Sequence, residues 1–139
     1  MIFRRDGELM RLAAADGAIQ AFVDYVRANP ILRNRQSVTG RAALQARTVH
    51  VLDVENDPEY AYGGRSLERY RSIVAVPLMR HGTPVGVFTL WRPHVEAFTP
   101  RQIALVETFA DQAVVAIENV RLLNETQEAC SSRRRPRTY

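Results

Sequence analysis

The feature that most constrains the fold is a long segment without helix breakers, which begins at Thr99-Pro100 and runs to about Glu128. Threonine is a common N-cap, and proline is tolerated at the first helical position. Apolar residues recur in this segment at spacings of three and four, in two adjacent stripes. The first stripe contains Ile103, Val106, Ala110, Ala113, Ile117 and Val120, and the second contains Leu105, Phe109, Ala116 and Leu123. The pattern predicts one long helix that packs on its own domain through one stripe and meets another surface through the second.

The rest of the chain alternates strand-like and helix-like segments. Residues 72–79 and 85–91 are apolar and β-branched and are joined by a short turn-forming loop, which predicts a hairpin. Residues 2–12 predict another hairpin around Asp6-Gly7, residues 18–29 an amphipathic helix, residues 41–47 a short helix and residues 48–54 a strand. Residues 59–71 are polar and tyrosine-rich and predict a loop that leads into a short helix at 66–70. This order predicts an α+β domain built on an antiparallel sheet.

Length, hydropathy and cysteine content narrow the class of protein. The 139 residues correspond to about one domain with a core of its own. No apolar run approaches the roughly 18 residues that a membrane helix needs, and no export signal is visible. Cys130 is the only cysteine, so no disulfide can form within the chain. We therefore expect a cytoplasmic protein without a membrane partner.

The formal net charge of +4 is concentrated at the C-terminal end. Four arginines lie within the last seven residues, and the preceding body of the chain is neutral with interspersed charges. We expect residues 129–139 to form a disordered Arg-rich tail and expect no nucleic-acid partner. A nucleic-acid-binding arm is the alternative for this tail.

The chain resembles the GAF family at many positions, each of low specificity alone, which occur in the same order as in the family. They are Ser72, Val76-Pro77-Leu78, Gly82, Gly86-Val87, Leu90, Phe98-Thr99, Leu105, Ala110, Gln112-Ala113, Ala116-Ile117-Glu118-Asn119 and Leu122. The resemblance implies a GAF/PAS-like domain over residues 1–128, with a central antiparallel sheet flanked by helices and a long C-terminal helix. Compared with the family pattern, the first helix and the start of the first strand are missing.

The resemblance also implies a non-catalytic sensory or regulatory role. Family members place a small ligand between one sheet face and the segment that corresponds to residues 53–70. Candidate ligand contacts are Asp53, Tyr62, Tyr70 and Arg71, although Asp53 also suits a turn cap, the tyrosines suit packing and Arg71 suits a surface ion pair. The identity of the ligand is left open, and no cofactor is expected.

The second helix stripe, Leu105, Phe109, Ala116 and Leu123, is the candidate homodimer interface. Through it the domain would signal to an effector such as a histidine kinase or a nucleotide cyclase. Two alternatives stay open: a ligand-free dimerising spacer, and the regulatory domain of a transcription factor.

No catalytic constellation and no metal set is apparent in the sequence. The three histidines, His50, His81 and His94, lie far apart and lack the i, i+4 spacing of helical metal ligands. The one enzymatic branch that the resemblance suggests reduces free methionine sulfoxide through several cysteines, whereas this chain has only Cys130. On that ground we expect the chain not to be an enzyme.

Overall fold

The computed structural model describes residues 1–133, apart from the side chains of residues 117, 118, 120, 121, 124 and 128–133. The strands are β1 (Ile2–Asp6), β2 (Leu9–Ala14), β3 (Ile31–Leu32), β4 (Val49–Val51), β5 (Ser72–Arg80) and β6 (Thr83–Arg92), and the helices are α1 (Gln20–Ala28), α2 (Val38–Gln45) and α3 (Pro100–Arg133). The strands form one sheet in the order β3-β2-β1-β6-β5-β4, and every neighbouring pair is antiparallel. The predicted α+β class, with an antiparallel sheet and a long C-terminal helix, is confirmed.

Both predicted hairpins are present. Gly7, at φ +61°, lies in the turn between β1 and β2, and His81 and Gly82, at +50° and +77°, make the turn between β5 and β6. These positive φ angles match the twist of a tight hairpin. The β5–β6 ladder runs from Ser72 opposite Arg92 to the turn, with an irregularity after Leu78. This hairpin, which we call the central hairpin, contains β6, one of the two middle strands of the sheet.

The sheet is covered on both faces, which explains why residues 72–78 are buried without alternation. On one face, α1 and α2 pack over the sheet and enclose the larger core, which includes Phe22, Val26 and Ile73. On the other face, α3 packs on alternate residues of β5. That smaller core contains Val74, Val76, Leu78, Val106, Ala110 and Val114.

Helix α3 uses its first apolar stripe against the sheet, as predicted, through Ile103, Val106, Ala110 and Ala113. The side chains of Ile117 and Val120 lie outside the described part. The helix continues through the predicted domain boundary at residue 128 and reaches Arg133. Residues 134–139 of the predicted tail lie outside the described residues, so the disorder of the tail stays a prediction.

Local predictions failed where short elements depend on tertiary contacts. The two-residue strand β3 was missed, and α2 begins at Val38 rather than at residue 41, because Ser37 caps it by accepting a hydrogen bond from Gly40 N at 2.9 Å. The short helix predicted at 66–70 is wrong, since this segment forms turns in which Leu67 N donates to Gly64 O. Among the described residues, no helix has both the length and the apolar character needed to cross a membrane.

Candidate functional site

A small cavity lies between the sheet and the layer formed by α1 and α2, with a volume of about 40 Å³. Its walls come from α1, α2, the segment 60–70 and several strands. The lining residues are Met1, Phe3, Phe22, Val26, Ile31, Ser37, Val38, Thr39, Tyr60, Tyr62, Tyr70, Ile73, Thr89 and Trp91. A mostly apolar concavity with a few polar groups is the usual form of a small-molecule site.

The segment of residues 57–70, which we call the strap, supplies one wall of the cavity through three tyrosines. Backbone hydrogen bonds attach it to the loop before α2, where Gln36 O accepts from Ala61 N at 2.8 Å and from Tyr62 N at 3.1 Å. The hydroxyl of Tyr62 donates to Asn29 O at 2.8 Å. The strap is therefore held to the loops that flank β3.

An ion pair fastens the start of the strap to α2. The guanidinium of Arg41 donates to both carboxylate oxygens of Asp57, with Nη2 3.0 Å from Oδ1, and its Nε donates to Arg35 O at 2.7 Å. Only 6% of the Arg41 side chain and 14% of the Asp57 side chain are exposed. The hydrogen bonds from Arg41 hold the pKa of Asp57 below its usual value. A second and exposed pair, Arg35–Glu59, lies beside it.

Four aromatic rings form a continuous cluster on the cavity wall. Phe22 lies 5.8 Å from Tyr70 and 5.9 Å from Trp91 between ring centroids, and Tyr60 lies 6.0 Å from Tyr70. The rings meet in tilted or edge-to-face arrangements, which are favourable for aromatic pairs. The cluster joins α1, the strap and β6 into one wall.

Hydroxyls supply most of the polar side-chain groups of the cavity. The Oγ1 atoms of Thr39 and Thr89 lie 2.7 Å apart in a buried pair, and the hydroxyl of Tyr60 donates to that of Tyr70 at 2.8 Å. Burial raises the pKa values of Tyr60, Tyr62 and Tyr70 above that of free tyrosine. These groups are therefore protonated and uncharged at neutral pH.

The predicted ligand contacts divide into two pairs. Tyr62 and Tyr70 line the cavity. Asp53 and Arg71 instead bind each other, with Arg71 Nε 2.8 Å from Asp53 Oδ1 and Nη2 2.8 Å from Oδ2. Asp53 also caps the short 3-10 turn after β4 by accepting from Glu55 N. The structure does not bring this second pair to the cavity, and a ligand-binding role for any of the four residues stays a prediction.

Several cavity residues were missed from the sequence. Thr39 and Thr89 are 50 positions apart, and nothing in their local patterns indicates that they meet. Phe22 belongs to an apolar helix face and Trp91 to an apolar strand, so both fit ordinary core positions. Tyr60 had a usable signal, because it lies in the tyrosine-rich loop. Within the described residues, no three His, Cys, Asp or Glu side chains are grouped as a metal site would require.

The predicted interface residues of α3 lie on the side of the helix away from the sheet. Leu105 is 56% exposed, Phe109 53% and Leu123 57%, and Ala116 is also exposed. Among the described side chains, Leu122 is exposed as well. A run of exposed apolar residues along one helix is typical of an interaction surface.

Solved structures with the same fold come from several classes of protein. A GAF domain of a phosphoenolpyruvate-protein phosphotransferase from Coxiella burnetii matches with a TM-score of 0.76 and 16% identity, over 89% of this chain and 73% of that chain. A domain of a putative two-component sensor histidine kinase from Sinorhizobium meliloti matches with a TM-score of 0.69 and 18% identity, over 91% and 81%. At these identities the matches show the fold alone.

The expectation that the chain is not an enzyme needs correction. A free methionine-R-sulfoxide reductase from Neisseria meningitidis matches with a TM-score of 0.69 and 22% identity, over 88% of this chain and 68% of that chain, and two further reductases of this kind share the fold. The cysteine count excluded only a relay that ends in a disulfide within one chain, and a second thiol can come from another molecule. The fold and the residue count therefore do not exclude catalysis.

Sequence comparisons identify the family directly. No curated protein matches the chain. A family model described as GAF domain matches residues 1–118, which is most of the chain and all elements up to the first half of α3. The chain belongs to the GAF domain family.

Proposed function

We propose that this chain is a sensory GAF domain that binds a small molecule in the cavity beneath the strap. The observation that carries the proposal is the cavity itself, which has an aromatic wall, a buried threonine pair and a partly buried tyrosine pair between the sheet and the strap. Pockets of this composition orient small molecules through few polar contacts. The domain would report occupancy of the cavity to an attached effector, for which a histidine kinase is one candidate.

The central hairpin offers a physical route from the cavity to α3. Ile73 and Thr89 line the cavity, whereas Val74 and Leu78 of the same hairpin point to the opposite face and pack in the core with α3. Because packed cores do not deform continuously, a displacement of β5 on the cavity side would also displace α3. Such coupling is allosteric only if the two states differ in ligand affinity.

We propose further that α3 pairs with the same helix of a second copy through the exposed stripe. The stripe of Leu105, Phe109, Ala116 and Leu123 faces away from the sheet, so pairing needs no change in the domain. Signals would pass to the effector as a shift of the helix pair. A ligand-free dimerising spacer would use the same stripe, and the ligand-binding test distinguishes this alternative from the sensor.

Ligand binding is tested by thermal unfolding of the chain against a panel of small metabolites, including cyclic nucleotides. A ligand at a hundredfold excess over its Kd stabilises the folded state by about 2.7 kcal/mol, which for a domain near this size raises Tm by roughly 5–11 °C. Val26→Phe fills the cavity from α1, and Val95→Phe adds the same ring at a position that is 46% exposed. Binding that is lost in the first variant and kept in the second supports the site. No shift with any compound favours the ligand-free spacer.

Dimerisation is tested by sedimentation of Leu105→Glu plus Leu123→Glu. Two charges on the exposed stripe are expected to convert the dimer to a monomer with the fold intact. Ala104→Glu plus Thr126→Glu places the same charges on α3 but to one side of the stripe, at positions that are also exposed. A dimer that survives the first double variant excludes this interface.

A second candidate function is reduction of free methionine-R-sulfoxide, the activity named for three of the structural neighbours. The direct measurement is consumption of the sulfoxide in the presence of a small dithiol. Activity that disappears in Cys130→Ser supports the candidate, because Cys130 is the only thiol of the chain. Consumption no faster than without protein excludes it.

A further inference from the structure

The cavity has no carboxylate, guanidinium, ammonium or imidazole side chain in its lining. Its fourteen residues are aliphatic, aromatic or hydroxylic. The tyrosine hydroxyls are uncharged at neutral pH, and burial lowers the pKa of the Met1 α-amino group to about 6. A buried ligand charge would have no charged side chain of opposite sign in this lining, and an unpaired buried charge is strongly unfavourable.

The aromatic cluster favours a flat ring as the body of the ligand. One part of the wall is formed by the rings of Phe22, Tyr70 and Trp91, and the ring centroids of Tyr70 and Trp91 lie 6.5 Å apart. Ring-on-ring contacts contribute beyond the area they bury. Aromatic walls also attract cations, but the lining provides no carboxylate to balance one.

The Thr39–Thr89 pair supplies the polar contact. Each hydroxyl has one donor and two acceptor positions, and one donor is used within the pair. The pair can therefore accept a hydrogen bond from a ligand hydroxyl and donate one to its oxygen. Both threonines are buried, at 4% and 6% exposure, so a ligand group that meets them is shielded from water.

The small volume of the cavity makes ligand binding depend on movement of the strap. A cavity of about 40 Å³ is well below the roughly 150 Å³ that accommodates benzene in an engineered protein cavity. A single ring enters only if a wall moves outward. Tyr60 and Tyr62 belong to the strap, which is not part of any helix or strand and is held by a few hydrogen bonds and the Arg41–Asp57 pair.

Resting on the proposed ligand-binding function, we infer that the cavity takes an uncharged single-ring molecule whose hydroxyl or carbonyl group meets the Thr39–Thr89 pair, with outward movement of the strap. Cyclic nucleotides and amino-acid zwitterions are outside this class, because each brings charge into the cavity.

Trp91 makes the test direct, because it is the only tryptophan of the chain and lines the cavity. The probes are benzyl alcohol, toluene, benzoate and benzylammonium, titrated while tryptophan fluorescence is followed. We expect benzyl alcohol to bind at least tenfold more tightly than either charged probe. Tighter or equal binding of benzoate or benzylammonium overturns the inferred class and leaves the proposed sensory function standing.

The threonine pair is tested with Thr39→Val plus Thr89→Val. Removing both hydroxyls is expected to weaken benzyl alcohol by about 2- to 12-fold, to the affinity of toluene, the range that corresponds to one hydrogen bond. Thr83→Val plus Thr108→Val changes two exposed threonines and should leave affinity unchanged. Thr89→Ser keeps the hydroxyl and should keep the preference, which guards against misfolding of the double variant.

Two further results overturn the inference. One is an unchanged preference for benzyl alcohol over toluene when both hydroxyls are removed. The other is no fluorescence response to any ring compound at millimolar concentration. If no ring compound gives a response, the thermal-unfolding screen still tests whether the domain binds another class of ligand. Failure of the inference and failure of the proposed function are therefore distinguishable.

Discussion

Removing one partner of the Arg41–Asp57 pair should cost far more stability than removing one partner of a similar pair at the surface. Asp57→Ala leaves the Arg41 guanidinium buried without its carboxylate, since only 6% of that side chain is exposed. Breaking a buried pair in this way costs about 3–5 kcal/mol. For a domain near this size, that corresponds to a fall in Tm of roughly 6–20 °C.

The chain offers a matched control in the Arg33–Glu8 pair. It is also bidentate, through Nε and Nη2 of Arg33 with both nitrogen–oxygen distances at 3.1 Å, but 67% of the Glu8 side chain is exposed. Exposed pairs contribute about 0–1 kcal/mol. Glu8→Ala should therefore change the free energy of unfolding by less than about 1 kcal/mol.

The assay is urea unfolding of both variants at neutral pH, with a check that the slope of the transition is unchanged. Equal losses for Asp57→Ala and Glu8→Ala would refute the reasoning that burial sets the difference. The pKa of Asp57 is lowered in the folded state, so the stability that it contributes is complete above the unfolded value near 3.8 and is lost as pH falls through the folded value. The difference between wild type and Asp57→Ala should accordingly shrink below about pH 4.

Four further substitutions test other parts of the fold by urea unfolding. Leu78→Ala, in the core beneath α3, should cost about 2–5 kcal/mol, whereas Leu105→Ala on the exposed stripe should cost little in a monomeric sample. Gly64→Ala should be destabilising by about 1 kcal/mol or more, because φ is +92° and an added Cβ would lie 2.8 Å from the Phe22 ring; an unchanged midpoint would contradict this contact. Ser72→Ala should cost about 1–3 kcal/mol, because the hydroxyl of this buried residue donates to Leu52 O and accepts from Glu96 N. A loss near zero would show that water replaces the hydroxyl.

Much of the architecture could be predicted because its signals are local. The central hairpin is marked by two β-branched runs around a turn, and α3 by Thr99-Pro100 and a repeating apolar stripe. The stripe even indicated which side of α3 meets the sheet, because side chains three and four apart share a face. These features depend on residues that are close together in the sequence, so one sequence is enough to recognise them.

The site was predicted only in part. Tyr62 and Tyr70 were found because a tyrosine-rich loop is unusual, whereas Asp53 and Arg71 attracted attention as charges and proved to bind each other. Thr39, Thr89 and Trp91 gave no signal of their own. Their proximity depends on the sheet bringing distant segments together.

The sequence by itself therefore determined the family, the order of the elements and the two-sided character of α3, since patterns of polarity and turn residues act over a few positions. Only the tertiary structure decided that the strap closes over a small neutral cavity, that Arg41 and Asp57 are buried against each other and that two threonines 50 residues apart share a hydrogen bond. The physical reason is that the chemistry of a cavity belongs to the set of side chains that packing brings together, and long-range contacts leave no periodic trace in the chain.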